Sequence, residues 1–199
     1  MWKIGPKAEW RFLDRKLKLF EPLRGTVVEV GMGPAPNLKL YAQHVDRIIG
    51  VDCNAAMHGY ARQAAEAAHA ADKLRLITGR AEALPLEDGS ADAVVMTHVL
   101  CTVGDQQQAL AEARRVLKPG GRFVFLEHVA APQGQWLHTL QHALNPAVGF
   151  FGHGCSCCRN TLATIQAAGF TTVDAEEFTL QIRGPLAVIA PHVAGAARK

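Results

Sequence analysis

After the first twenty-odd residues, two kinds of segment alternate along the chain. Short runs rich in Val, Ile and Phe, at Thr26–Val30, Arg47–Val51, Leu74–Thr78, Ala91–Thr97 and Arg122–Glu127, predict strands. Most are apolar almost continuously rather than at alternate positions, the pattern of parallel strands covered on both faces. Helix-like stretches separate them. Ala55–Ala71 is dominated by alanine, the best helix former. Asp105–Leu117 opens on an N-capping aspartate and carries Ala109, Leu110, Ala113, Val116 and Leu117 along one stripe. The breaker Lys118-Pro119-Gly120-Gly121 predicts a turn into the next strand.

Strands alternating with helices imply parallel pairing and right-handed crossovers. The tail has a different character. Arg159–Ala168 reads as a helix ended by Gly169, and Thr171–Leu180 and Leu186–Val193 read as two strands. The link Gln181–Pro185 permits an antiparallel hairpin and is too short for a helical crossover. The expected fold is α/β: a Rossmann-like, doubly wound, mostly parallel seven-stranded sheet with one antiparallel strand near the edge. Ala8–Phe20 reads as an amphipathic helix with Trp10, Leu13, Leu17 and Phe20 on one face and Arg11, Arg15, Lys16 and Lys18 mostly elsewhere. Residues 1–23 are therefore expected to form a packed helix or lid, and residues 24–199 one α/β domain.

Composition narrows the class. A chain of 199 residues with 49% hydrophobic and 20% charged residues suits one ordinary globular domain. The surplus of 21 Lys and Arg over 18 Asp and Glu, +3, is too small and dispersed to point to nucleic acid. No apolar run reaches the roughly 18–20 residues of a membrane-spanning helix, and Met1-Trp2-Lys3-Ile4-Gly5-Pro6 lacks the pattern of an export signal. A cytoplasmic location is expected. Five cysteines, three crowded into Cys155-Ser156-Cys157-Cys158, do not form a secreted disulfide framework.

Open parallel sheets bind ligands beyond the carboxyl ends of their strands, where the strand order reverses. The residues at that point are Glu29-Val30-Gly31-Met32-Gly33-Pro34-Ala35-Pro36-Asn37. Gly31 and Gly33 permit a tight bend and close backbone approach. Pro36 stands where a dinucleotide fingerprint needs its last glycine, and Pro34 and Pro36 lack the N–H groups a pyrophosphate uses. A ligand without phosphate fits better. Asp52 follows the bend by about twenty residues, the spacing at which a carboxylate accepts hydrogen bonds from ribose hydroxyls.

These residues, with the Gly79-Arg80-Ala81-Glu82-Ala83-Leu84-Pro85 turn, the acidic Glu87-Asp88-Gly89-Ser90-Ala91-Asp92 stretch and Leu117-Lys118-Pro119-Gly120-Gly121, resemble the class I S-adenosylmethionine-dependent methyltransferases. The resemblance covers roughly residues 24 to 199. It implies that S-adenosylmethionine is the cofactor, with Gly31 and Gly33 under its methionine part, Glu29 helping to hold the bend, and Asp52 on the ribose. It further implies that Ala81 and Glu82 meet the adenine, that Thr97 and His98 border the methionine group, and that Met32, Asn37, Cys53 and Met57 also belong to the cofactor site. The family's usual third glycine is Ala35 here, and many members carry an acid where Arg80 stands.

Val99-Leu100-Cys101-Thr102-Val103, Leu126-Glu127-His128-Val129-Ala130, Trp136, Gln141 and Gly154-Cys155 are similar to one subgroup, the small-molecule thiol S-methyltransferases of the methyltransferase-like kind. That resemblance implies a small apolar thiol as methyl acceptor. Its animal members carry an N-terminal membrane anchor, for which Met1–Phe20 is too polar and too short; peripheral membrane contact by the basic helix stays open. His98 and His128 are the candidate bases, needed where the acceptor must lose a proton as it attacks. Trp136, Leu140, Phe151 and Cys155 are the candidate acceptor wall, within the apolar region Gln133–Cys158. The C-x-C-C run lacks the spacing of a zinc site, so no metal is expected there; thiophilic capture of arsenic(III) is a further reading of it. Methylation of a quinone or phenol precursor, arsenite methylation and a catalytically silent cofactor-binding subunit are the alternative functions.

Overall fold

The computed structural model describes residues 10–182 and 184–199. One seven-stranded sheet runs in the order β3-β2-β1-β4-β5-β7-β6. Its strands are β1 (Thr26–Val30), β2 (Arg47–Asp52), β3 (Leu74–Thr78), β4 (Ala91–Thr97), β5 (Leu117–His128), β6 (Thr172–Thr179) and β7 (Pro191–Arg198). The first five pair in parallel, and β7 pairs antiparallel with both β5 and β6. The single antiparallel strand therefore lies next to the edge, as expected, although its link from β6 spans residues 180–190 rather than the short Gln181–Pro185.

Val27, Val28, Val30, Ile48, Val51, Val94, Val95 and Met96 are buried, which explains the unbroken apolar runs: the sheet is covered on both faces. One face packs under α3 (Gln106–Val116) and α5 (Thr161–Ala167) through Leu110, Ala113, Val116 and Ile165. The other packs under α1 (Leu13–Phe20) and α2 (His58–Ala67) through Phe20, Leu23, Ala61 and Ala65. The Asp105 carboxylate caps α3, accepting the N–H groups of Gln107 and Gln108. Asn160 caps α5 in the same way through Ala163 N–H.

Four expectations are corrected. The predicted turn at Lys118–Gly121 is absorbed into β5, whose register slips opposite Ala91 and Ala93. The last strand is Pro191–Arg198 rather than Leu186–Val193, because Gly184–Ile189 winds into a 3-10 helix. Gly195 suits that strand's position: a Cβ there would collide with the Asp174 carbonyl and the Phe125 ring. The helix predicted over Ala55–Ala71 is a 3-10 turn, Ala55–Met57, followed by α2, which ends at Ala67.

The fourth correction concerns the N-terminal helix. Leu13 and Leu17 are 39% and 45% exposed, and the buried stripe is Phe12, Lys16 and Phe20. Those three lie four residues apart, so they share one face of the helix. Arg15 secures the docking: its guanidinium lies 3.7 Å from the centre of the Phe178 ring and bonds Glu176 at 2.7 Å. The start of the predicted helix at Ala8 and the side chain of Trp10 lie outside the described residues.

Candidate active site

The strand order reverses between β1 and β4, and the bend after β1 sits at that switch point. Gly31 and Gly33 adopt φ of 65° and 55°, and Ala35 follows at 57°. The position where the family usually has glycine thus keeps its left-handed backbone despite the Cβ, at a cost of about 1 kcal/mol. Pro34 and Pro36 are exposed while Ala35 and Asn37 are buried.

Asp52 ends β2 beside this bend. Its Oδ2 accepts Gly33 N–H at 2.8 Å and its Oδ1 accepts Asn54 N–H at 2.8 Å. A carboxylate has about four lone-pair sites, so acceptor capacity remains for two ribose hydroxyls. Beneath the bend, buried Glu29 accepts Asn37 Nδ2–H at 2.7 Å and the Tyr41 hydroxyl at 2.6 Å. Burial first, and then the Glu29 charge, push the Tyr41 phenol well above its usual range. Asn37 also donates to Thr97 Oγ1 at 3.0 Å, tying the bend to the end of β4. Asn37 Oδ1 and His98 Nε2 are buried here without a protein hydrogen-bond partner.

The other expected cofactor residues divide. Met32 is a correction for its side chain, which turns into the core against Gly50 and leaves only its backbone at the bend. Cys53 is exposed just after Asp52, and Met57 is half-buried on the following turn. Ala81 is buried beyond β3. Glu82 accepts Gly104 N–H at 2.8 Å and meets Arg80 at 3.4 Å. Burial alone would raise its carboxyl, but these hydrogen bonds outweigh it and hold the group below the usual range.

A cavity of about 620 Å³ opens beside His98, beyond the ends of β4 and β5. Its walls are largely apolar, with Leu144, Val148 and Phe151 from α4 (Trp136–Phe151) and Leu186, Val188 and Ile189 from the 3-10 turn. Of the expected acceptor wall, Phe151 and Cys155 line this cavity. Trp136 and Leu140 do not, and Trp136 is 72% exposed. The cavity meets only the last two turns of α4, and at 1.5 Å per residue Trp136 begins roughly 12 Å before Leu144.

His98 and His128 both line this cavity. His98 holds a strained φ of 56°, and His98 and His128 stack with ring centres 6.3 Å apart. His192, opposite His128 in the β5–β7 ladder, completes a trio against Phe12. Burial of the ring, then His192, His128 and Lys16, hold His98 well below the usual imidazole range. Sequence reasoning did not single out His192 for the site although the predicted strand Leu186–Val193 contains it, because its place opposite His128 is set by the β5–β7 pairing.

The cysteine run does not act as a unit. Cys157 is buried against Gln141 and Asn145 of α4, its thiol pushed up to about 12 by burial. Cys155 instead faces the cavity with Cys101, 2.7 Å from His128 Nε2. A hydrogen bond with Cys101 and the nearby His128 hold the Cys155 thiol below its usual range, while the Cys101 thiol is raised. Glu127 fixes the Cys101 loop by accepting the N–H groups of Val99, Leu100 and Cys101 at 2.8, 3.0 and 3.3 Å. Its carboxyl is raised to about 7 by burial, against those three bonds.

Comparison with known proteins agrees with this geometry. A family model described as a methyltransferase domain matches residues 28–125. The chain is 30% identical over 205 residues to human thiol S-methyltransferase TMT1B, covering 98% of this chain and 83% of that one. It belongs to the S-adenosylmethionine-dependent methyltransferases. Human thiol S-methyltransferase TMT1A is 33% identical over 87% of this methyltransferase and 70% of its own length. In fold, the methyltransferase is similar to geranyl diphosphate methyltransferase solved with S-adenosylmethionine, at TM-score 0.72 and 17% identity over 98% and 92% of the chains. S-adenosylmethionine is the cofactor. The glycine bend, the half-buried Asp52 with free lone pairs and the two unpartnered polar atoms suit its sugar and amino-acid parts. No described helix is long and apolar enough to cross a membrane.

Proposed function

We propose that the protein transfers the methyl group of S-adenosylmethionine to a small apolar thiol seated in the cavity beside His98. The cavity carries this reading: its walls are apolar and its inner end is lined by His98, His128, Cys101 and Cys155. The similarity to two thiol S-methyltransferases supports it. When bound, the cofactor supplies an electrophilic methyl on a sulfonium. Asp52 and the Gly31–Gly33 bend would hold it, with Ala81 and Glu82 toward the adenine and Thr97 toward the methionine group. Aligning acceptor sulfur and methyl carbon removes most of the entropic barrier, and the apolar walls exclude water. His98 and His128 line the acceptor's end of the cavity, and His98 can take a hydrogen bond from its S–H.

The test is a panel of alkyl thiols, hydrogen sulfide, phenols and arsenite incubated with labelled cofactor, with products resolved by mass spectrometry. Thioether formation from the thiols is expected. Labelled methyl ethers or methylated arsenic, with no thioether, would overturn the proposal.

A further inference from the structure

Three soft donors from distant parts of the chain meet at the inner end of the cavity. Cys101 comes from the loop after β4, His128 from the last position of β5, and Cys155 from the loop after α4. The two thiols and the imidazole nitrogen all lie within 4.8 Å of one another. Backbone bonds position each residue, and the donor atoms bond mainly one another: His128 Nε2 meets Cys155 Sγ at 2.7 Å, and Cys101 Sγ also meets Thr102 Oγ1 at 3.5 Å. Glu127 anchors the backbone of Cys101. Ser156 N–H donates to the Cys101 carbonyl at 2.8 Å, which ties the two cysteine loops together. The backbone of His128 is locked in the ladder opposite His192.

A tetrahedral zinc ion needs metal–sulfur distances of about 2.3 Å and metal–nitrogen distances of about 2.0–2.1 Å, so its ligands stand roughly 3.5–3.8 Å apart. The donors are already within that range plus about an ångström, and the 2.7 Å contact between His128 and Cys155 would open by less than an ångström. All three residues line the cavity, so a fourth position would face the acceptor. Three protein ligands and one open position are the arrangement of catalytic rather than structural zinc. Thiolate and imidazole select soft or borderline cations over magnesium or calcium.

We propose that Cys101, His128 and Cys155 bind one zinc-like divalent ion, and that its open position takes the acceptor sulfur as a thiolate. This rests on the reading of the acceptor as a thiol. The bound thiol releases its proton to solvent. A sulfur lone pair then forms the new C–S bond as the methyl–sulfonium bond breaks, and the electron pair stays on the departing sulfur of the cofactor. One thiol and one sulfonium thus become two thioethers and a proton. A neutral thioether is a weaker ligand than a thiolate, which favours product release.

The reduced protein, stripped of metal by a chelator, would be titrated with cobalt(II) without oxygen. One equivalent is expected to bind, with thiolate-to-cobalt charge-transfer absorption and the intense visible bands of tetrahedral cobalt. Ethanethiol should shift those visible bands. Cys101→Ser and Cys155→Ser should each weaken cobalt binding at least tenfold, and Cys158→Ser should not; cofactor binding by calorimetry establishes that each variant is folded. Absence of the charge-transfer band, or its survival unchanged in both variants, overturns the ion site. Undiminished thiol methylation by the chelated protein overturns its catalytic role and leaves the thiol reading standing. Cobalt binding without thiol turnover by the zinc-loaded protein overturns the thiol reading and, with it, the thiolate at the open position.

Discussion

Replacing Asp52 tests the proposed contact between its carboxylate and the ribose of the cofactor. Hydrogen bonds to a charged group contribute about 1.5–3 kcal/mol each, and two ribose hydroxyls are in question. Asp52 is half-buried, so water recovers part of that loss. The carboxylate also accepts Gly33 N–H, and removing it loosens the bend itself. Asp52→Ala should therefore weaken S-adenosylmethionine binding ten- to a hundredfold, ~1.4–2.8 kcal/mol. Asp52→Asn keeps one acceptor oxygen, which can stay on Gly33, and should fall between the two. Calorimetric titration of the three proteins measures this, with urea unfolding to confirm that each is folded. Equal affinities for wild type and Asp52→Ala would refute the assignment of the ribose to this carboxylate.

Three further outcomes follow from the fold. Ala35 is buried at φ 57°; Ala35→Val should cost about 2–4 kcal/mol through added strain and overpacking, whereas Ala35→Gly should stay within about 1 kcal/mol, both read from urea midpoints. Phe12→Ala removes a buried ring from beside His98 and His192 and should cost about 3–5 kcal/mol by the same assay. Asp92 joins β1 to β5 by accepting Thr26 N–H at 2.8 Å and Lys118 Nζ at 2.7 Å; partial burial works against ionisation, but these bonds prevail and hold its carboxyl below the usual range. Its contribution is fully present above about pH 4, the unfolded value, and is lost as pH falls through the lower folded value. Urea unfolding at stepped acidic pH should accordingly show a shallower acid decline in Asp92→Asn.

The central strands were legible because burial on both faces forces an unbroken apolar run, and β1, β3 and β4 match their predicted limits. β7 was not. Pro191–Arg198 is mostly small or polar, and it is a strand because β5 and β6 flank it rather than because its residues favour one. The apolar run Leu186–Ile189 carries a strand's composition into a 3-10 turn after Gly184. Lys16 misled the reading of α1, since a cation on the buried stripe contradicts simple amphipathicity. At the site, Gly31, Gly33 and Asp52 were readable from spacing within one βαβ unit. Cys101, His128 and Cys155 are each separated by 27 residues, and only closure of the sheet brings them together. The signal available beforehand was modest: Cys101 and His128 each lie at or just past the end of a parallel strand.

Phe12 lies outside the domain that the methyltransferase motifs delimit, yet its ring forms one side of the histidine trio. A chain cut back through Phe12 would open one side of that trio while every signature residue stayed in place.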